Sequence, residues 1–290
     1  MSILQVIVLA VVQGMAELLP VSSSAHVVVA EKLMGLDPSA PEMTLLLVML
    51  HTGTMFAVIV YFWREWRATY FKSAAVFRRA ATLVAIATVI TGIIGEILSK
   101  LIEKFVLHSG PHADVEQLFS HLELIAPALA AAGVLILIAG RREERVPKSD
   151  SADGVVGLGV EQAAWIGAIQ GLCLPFRGFS RSGATISTGM LAGVARRRAE
   201  AFSFALAVVL TPPVVAREAL RLAKAGHGNA GVSVASAVVP SLLGMVFAFF
   251  AGLLALKWLS GWLESGRWYL FGIYCLAAAA AVAGLYGAGY

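Results

Sequence analysis

The chain has 290 residues, of which 59% are hydrophobic and only 14% charged, and its formal net charge is +4. A soluble domain carries about 25% charged residues, so this composition excludes a soluble globular protein and makes the length a count of membrane spans. The small positive balance gives no case for nucleic-acid binding, and the two cysteines, Cys173 and Cys275, lie in apolar runs where they read as small buried hydrophobes.

In chain order, residues 3–12 are apolar but too few for a helix that needs about 20 residues to cross. A break at 20–24 is followed by a second short apolar run to about Met34. Residues 2–34 therefore read as a re-entrant helical hairpin around a Pro/Ser tip, tolerated at depth only where buried in protein or lining a cavity. No cleavable signal peptide is expected, because the N-terminus lacks a basic region and Gln13 and Glu17 interrupt the apolar core. Residues 35–41 form a surface loop. Spans are predicted near 43–63, 81–101 and 122–140, with a basic stretch at 64–80 and a polar loop at 102–121 holding His108, His112 and His121. Those histidines are irregularly spaced and read as loop residues, and Glu96 as an interfacial one. Residues 141–157, with Ser149-Asp150-Ser151, read as a linker between two halves.

The second half repeats the plan. Residues 160–195 predict a second re-entrant hairpin, and spans follow near 199–219, 234–256 and 268–287. The expected fold is all-α and integral to the membrane: six transmembrane helices plus two re-entrant hairpins, divided into a first repeat, 1–145, and a second, 158–290. With 64–80 in the cytoplasm, alternation of sides puts 14 of the 22 basic residues inside and 6 outside, Arg177 and Arg181 lying in the second hairpin. That asymmetry supports the orientation. It requires the first hairpin to enter from outside and the second from inside, so the halves are expected to be inverted repeats whose tips meet, a placement that points to a binding site.

The tips carry the chemistry. The first runs Gln13-Gly14-Met15-Ala16-Glu17-Leu18-Leu19-Pro20-Val21-Ser22-Ser23-Ser24-Ala25-His26; the second runs Gln170-Gly171-Leu172-Cys173-Leu174-Pro175-Phe176-Arg177-Gly178-Phe179-Ser180-Arg181-Ser182-Gly183. Ionisable groups at membrane depth are costly and mark function by default. Ser22, Ser23 and Ser24, like Ser180, Arg181, Ser182 and Gly183, would sit at helix N-termini, where free N–H groups and the dipole favour an anion. Arg181 offers a planar fork for phosphate oxygens. Two such termini face to face suit a diphosphate. Gln13 and Glu17, four apart, share one helix face. A carboxylate beside an anion invites a bridging divalent cation, Mg²⁺ or Ca²⁺. His26 can act as acid, base or nucleophile, and Ser23 is the competing nucleophile with His26 as its base; the sequence does not choose between them.

Plainer roles stand beside these. Ser22 and Ser24 can cap a helix or donate to phosphate, and Arg181 can pair with Glu17 for structure alone. Arg177 can contact a second phosphate or snorkel to the inner face. His51, with Thr52-Gly53-Thr54, reads as helix packing, with lining of the site as the alternative.

Glu17-Leu18-Leu19-Pro20-Val21-Ser22-Ser23-Ser24-Ala25-His26, together with Gly178-Phe179-Ser180-Arg181-Ser182-Gly183-Ala184-Thr185-Ile186, resembles the undecaprenyl-diphosphate phosphatase, or bacitracin-resistance, family of bacterial inner-membrane enzymes. The likeness covers the whole chain, including Phe202-Ser203-Phe204-Ala205-Leu206. It departs at Gln13, where many members have Glu, at Ser24-Ala25, where Thr-Gly is common, and at Arg177, where Pro is usual. The resemblance implies hydrolysis of undecaprenyl diphosphate to undecaprenyl phosphate and inorganic phosphate. That reaction recycles the lipid carrier for peptidoglycan and confers bacitracin resistance. It also implies a divalent cation, an inner-membrane location and a site open to the periplasm. By motif, Glu17 and Gln13 would be the metal or acid/base pair, His26 and Ser23 the nucleophile candidates, and Arg181 with Ser180 and Ser182 the phosphate clamp. The expected partners are this lipid substrate and membrane lipids, with homodimer formation left open. The rival class is a transporter or flippase for a polyprenyl phosphate; a purely structural membrane subunit would leave the polar tips unexplained.

Overall fold

The computed structural model describes residues 1–38, 40–105, 121–143, 158–228, 234–263 and 267–289. Ten helices and no strand occur among them: α1 (Ile3–Ala16), α2 (Ser23–Leu33), α3 (Pro41–Tyr70), α4 (Ala74–Phe105), α5 (Leu122–Glu143), α6 (Val160–Cys173), α7 (Arg181–Leu191), α8 (Arg196–Gly228), α9 (Val234–Leu263) and α10 (Tyr269–Gly287). Six of them, α3, α4, α5, α8, α9 and α10, are long and apolar enough to cross a bilayer, which makes this a multi-pass membrane protein. His108, His112 and most of the expected linker lie outside the described residues.

The remaining four are short. α1 and α6 have 14 residues each, and α2 and α7 have 11 each. Fourteen residues rise about 21 Å, short of the ~30 Å hydrocarbon core. Each pair turns at a Pro-containing tip, 17–22 and 174–180, because proline lacks the N–H that would continue the helix. α1 begins in a capping box, Ser2 with Gln5.

The spans differ from the predicted ones chiefly at 64–80. Both α3 and α4 run into the basic stretch, leaving only Phe71–Ser73 by number between them. Arg, Lys and Ala are good helix formers, and long basic stems can lie along the helix while their charges reach water.

Each short first helix packs on a long helix of the other half: α1 along α9, and α6 along α4. α5 packs on α10, and α3 on α8. Close approach needs small residues. A Cβ on Gly14 would fall 2.5 Å from Ala251 Cβ, and one on Gly167 would fall 2.5 Å from the Ala87 carbonyl. The apolar core lies in patches around the tips, one of which holds Ala16, Val21, Ile136, Ile186 and Trp268.

Candidate active site

One cavity of about 560 Å³ opens between the two tips. Its wall includes Glu17, Ser22, Ser23, Ser24, Ser180, Arg181 and Ser182. The N-termini of α2 and α7 thus line the same space, and their unpaired N–H groups favour a negative charge within it.

At its floor Glu17 joins the two tips. Its Oε1 accepts from Arg181 Nη2 at 2.7 Å. Its Oε2 accepts from Ser23 Oγ at 2.5 Å and from Gln13 Nε2 at 2.8 Å. Gln13 and Glu17 lie one helical turn apart, so the amide of Gln13 rides on the carboxylate that follows it. The other guanidinium nitrogen of Arg181, Nη1, is buried with no hydrogen-bond partner among the described residues. It is a donor left over within the protein, on a residue that lines the cavity.

A second group able to carry positive charge completes the floor. His51 Nε2 lies 3.3 Å from Glu17 Oε2. Its Nδ1 lies 2.8 Å from the Leu47 carbonyl, which can only accept, so Nδ1 carries hydrogen. For Nε2 to attract the carboxylate, a second proton must sit between them. His51 also lines a small second cavity of about 30 Å³ behind Glu17, with Thr54, Arg181 and Thr211. The sequence reading of His51 favoured helix packing with its neighbours and kept lining of the site as the alternative, and the cavity wall does include it. Thr52 and Thr54 do bond only helix carbonyls, and Gly53 admits the Met245 carbonyl where a Cβ would stand. The missed signal was an ionisable side chain within an apolar span.

Ser22 is the N-cap of α2 with φ 64° and ψ 82°, the only non-glycine positive φ among the described residues. A left-handed non-glycine residue costs on the order of 1–3 kcal/mol and persists where the surroundings enforce it. It turns the chain so that Ser23 starts the helix facing Glu17. Ser22 Oγ and Ser24 Oγ lie 3.4 Å apart on the cavity wall. On the second tip Ser180 Oγ accepts from the Gly183 amide at 3.2 Å, as an N-cap does, and Ser182 Oγ donates to the Leu19 carbonyl at 3.4 Å.

Two expected site residues are placed otherwise. Gly183 does not present its amide to the cavity, because that N–H is taken by Ser180; a Cβ there would fall 2.8 Å from Ile136 Cδ1 and 3.1 Å from the Pro20 carbonyl, so its smallness serves tip-to-tip packing. His26 does not line the cavity either. Its Nδ1 bonds the Ser22 carbonyl at 2.8 Å and its Nε2 the Tyr274 hydroxyl at 2.7 Å, on the side of α2 toward α10. Neither nitrogen reaches Ser23. Arg177 lies on the cavity wall, where its charge acts on the buried Glu31.

The expected divalent cation does not fit Gln13 and Glu17 as they stand. Mg²⁺ and Ca²⁺ need six or more oxygen ligands. Glu17 is one carboxylate, and both oxygens are occupied by N–H and O–H donors, one from a guanidinium. Gln13 turns its nitrogen, not its oxygen, toward Glu17. No cluster of three or more His, Cys, Asp or Glu residues suited to a metal occurs among the described residues.

Comparison with known proteins agrees with this arrangement of motifs. Residues 6–281 match the family described as bacitracin resistance protein BacA. Undecaprenyl-diphosphatase 2 of Acinetobacter baylyi is 57% identical over 280 residues, covering 96% of this chain and 95% of its own. The undecaprenyl-diphosphatase of Desulfosudis oleivorans is 32% identical over 289 residues, 94% of each chain. That of Rhodopirellula baltica is 32% identical over 278 residues, 95% of each.

Proposed function

The chain belongs to the bacitracin resistance protein BacA family, and from that premise we infer that it is a membrane phosphatase hydrolysing undecaprenyl diphosphate to undecaprenyl phosphate and inorganic phosphate. The reaction recycles the lipid carrier of peptidoglycan synthesis and removes the diphosphate lipid on which bacitracin acts.

The observation that carries the mechanism is the 2.5 Å contact of Ser23 Oγ with Glu17 Oε2. Ser23 is the nucleophile and Glu17 its base. As Oγ attacks the terminal phosphorus, its proton passes to Glu17 and the bond from phosphorus to the bridging oxygen breaks. Undecaprenyl phosphate leaves with that electron pair. Water then attacks the phosphoserine, Ser23 Oγ takes the proton back from Glu17, and phosphate is released. Arg181 Nη1 and the N-termini of α2 and α7 bind the phosphoryl oxygens as charge moves toward the leaving group. Ser22, Ser24, Ser180 and Ser182 shape and cap these termini. We place any Mg²⁺ or Ca²⁺ on the diphosphate of the substrate rather than on Glu17 and Gln13, and no step runs through it.

We read α1–α2 and α6–α7 as re-entrant hairpins of two inverted repeats. The matching lengths of 14 and 11 residues, and the reciprocal packing of α1 on α9 and α6 on α4, support this reading. The charge asymmetry supports a bacterial inner-membrane protein with 64–80 in the cytoplasm and a cavity open to the periplasm. A carrier needs no nucleophile held against a base, so the Ser23–Glu17 contact favours the hydrolase over a flippase.

Phosphate release from a long-chain polyprenyl diphosphate by detergent-purified protein tests the proposal. Wild-type turnover, with loss in both Ser23→Ala and Arg181→Ala variants that remain folded, is expected. Full activity in both variants would overturn the assignment of the site.

A further inference from the structure

The chemistry above does not use His26, although the ring sits three residues from Ser23 and both of its nitrogens are engaged. Its Nδ1 lies 2.8 Å from the Ser22 carbonyl oxygen. A carbonyl only accepts, so Nδ1 bears the hydrogen. A neutral imidazole then offers Nε2 as an acceptor. The group facing Nε2, at 2.7 Å, is the hydroxyl of Tyr274 on α10, which can donate. The two rings are stacked, with centroids 5.7 Å apart and planes at 12°. Tyr274, His26 and the Ser22 carbonyl thus form one directional chain of hydrogen bonds. Its direction is fixed by the carbonyl at its end.

That carbonyl matters because of where it stands. It belongs to the left-handed Ser22, and it also accepts the His26 backbone amide at 3.3 Å. The Ser22 carbonyl and the Ser23 Cα lie in one peptide plane. Holding the oxygen therefore holds the origin of the Ser23 side chain. The next residue of α10 holds the same tip from its other side: Cys275 Sγ donates to the Pro20 carbonyl at 3.5 Å. The strained turn is fastened to α10 at two adjacent positions.

We propose that Tyr274 is a positioning residue for the hydrolysis, acting through His26 on the Ser22 carbonyl to keep Ser23 against Glu17. His26 is the strut between them and takes no part in bond making. This rests on Ser23 being the nucleophile. A displacement of a reacting group by about 1 Å can cost on the order of 100-fold in rate, whereas phosphate binding by Arg181 and the N-terminus of α7 is not routed through His26.

The test is steady-state hydrolysis of a polyprenyl diphosphate by detergent-purified Tyr274→Phe, His26→Asn and His26→Ala, each checked for monodispersity and melting temperature. Tyr274→Phe keeps the ring and loses only the donor, so kcat is expected to fall about tenfold with KM within twofold. The amide nitrogen of Asn can stand where Nδ1 stands and donate to Ser22, so His26→Asn is expected to keep kcat within about tenfold of wild type. His26→Ala is expected to lose on the order of 100-fold. Wild-type kcat in Tyr274→Phe would overturn the role of Tyr274. His26→Asn as inactive as His26→Ala would overturn the strut and return His26 to the chemistry. Should Tyr274→Phe not yield monodisperse protein, the His26→Asn and His26→Ala comparison decides alone. Ser23→Ala, assayed in parallel, separates the two readings: full activity there removes the nucleophile itself, whatever the α10 variants do.

Discussion

Glu17 and Arg181 are separated by 164 positions in the chain and by 2.7 Å in the fold. The pair ties the first hairpin to the second. One carboxylate oxygen faces the guanidinium of the second tip, and the other faces the hydroxyl of Ser23 on the first. Position therefore decides the role of each oxygen.

Ser23→Ala is expected to lower kcat by about 1000-fold or more, because no other hydroxyl among the described residues rests on Glu17 Oε2. Quenching with denaturant during turnover, with one portion acidified and the other held mildly alkaline to preserve phosphohistidine, followed by peptide mass spectrometry, should find phosphate on Ser23 and none on His26. Phosphohistidine at His26 would exclude Ser23.

Arg181→Ala removes the only guanidinium bonded to Glu17 among the described residues and leaves a largely buried carboxylate with His51 alone facing it. Losing one partner of such a pair costs on the order of 3 kcal/mol. Thermal melts in detergent should show a clear drop for Arg181→Ala. Much of it should return in the double variant with Glu17→Gln, although neither protein turns over. Equal melts for the single and double variants would show that the pair carries no stability.

His51→Gln should retain most activity, since an amide nitrogen can still donate to Glu17, whereas His51→Leu should lose about tenfold or more in kcat with KM little changed. The measurement is the kcat and KM of both variants. Equal activity of the leucine variant and the wild type would reduce His51 to packing.

Gly183→Ala should lower both melting temperature and activity, because the added methyl meets Ile136 Cδ1 and approaches the Pro20 carbonyl. Ile136→Val deletes that methyl group of isoleucine. The double variant should recover part of the loss. If Gly183 served phosphate through its amide instead, Ile136→Val would restore nothing.

Calorimetric titration of the substrate-free protein with Mg²⁺ or Ca²⁺ should give no heat that Glu17→Gln abolishes, since both oxygens of Glu17 already accept from N–H and O–H donors, one of them a guanidinium. A tight site lost in Glu17→Gln would restore the carboxylate as a metal ligand.

Much of the fold could be read from hydropathy, because a span is defined by length and apolarity and both are local. Short runs ending at Pro20 and Pro175 gave away the four short helices for the same reason. Ser23, Glu17 and Arg181 could be named because ionisable and hydroxyl groups stand out in an apolar chain. Their neighbours were harder. His51 looked like Thr52 and Thr54 beside it until α3 was placed against the tip. Tyr274 lies 248 positions from His26, and a tyrosine in an apolar helix carries no mark of the ring it will meet. The position of His26 was equally hidden: its nearness to Ser23 in sequence says nothing about which side of α2 it takes, and in the fold it faces Tyr274 of α10. Gly183 fits a phosphate motif and a close contact equally well by residue type, and only the Pro20 carbonyl opposite it decides.

The span of chain between Glu17 and Arg181 also has a meaning in time. Synthesis delivers Glu17 early and Arg181 only when well over half of the 290 residues have been made. Until then the nascent first half holds a hydroxyl and a base but no guanidinium to seize a phosphate. On the proposed mechanism a fragment truncated before the second tip would be inert toward the lipid carrier, so activity would report that the two tips have been inserted and joined.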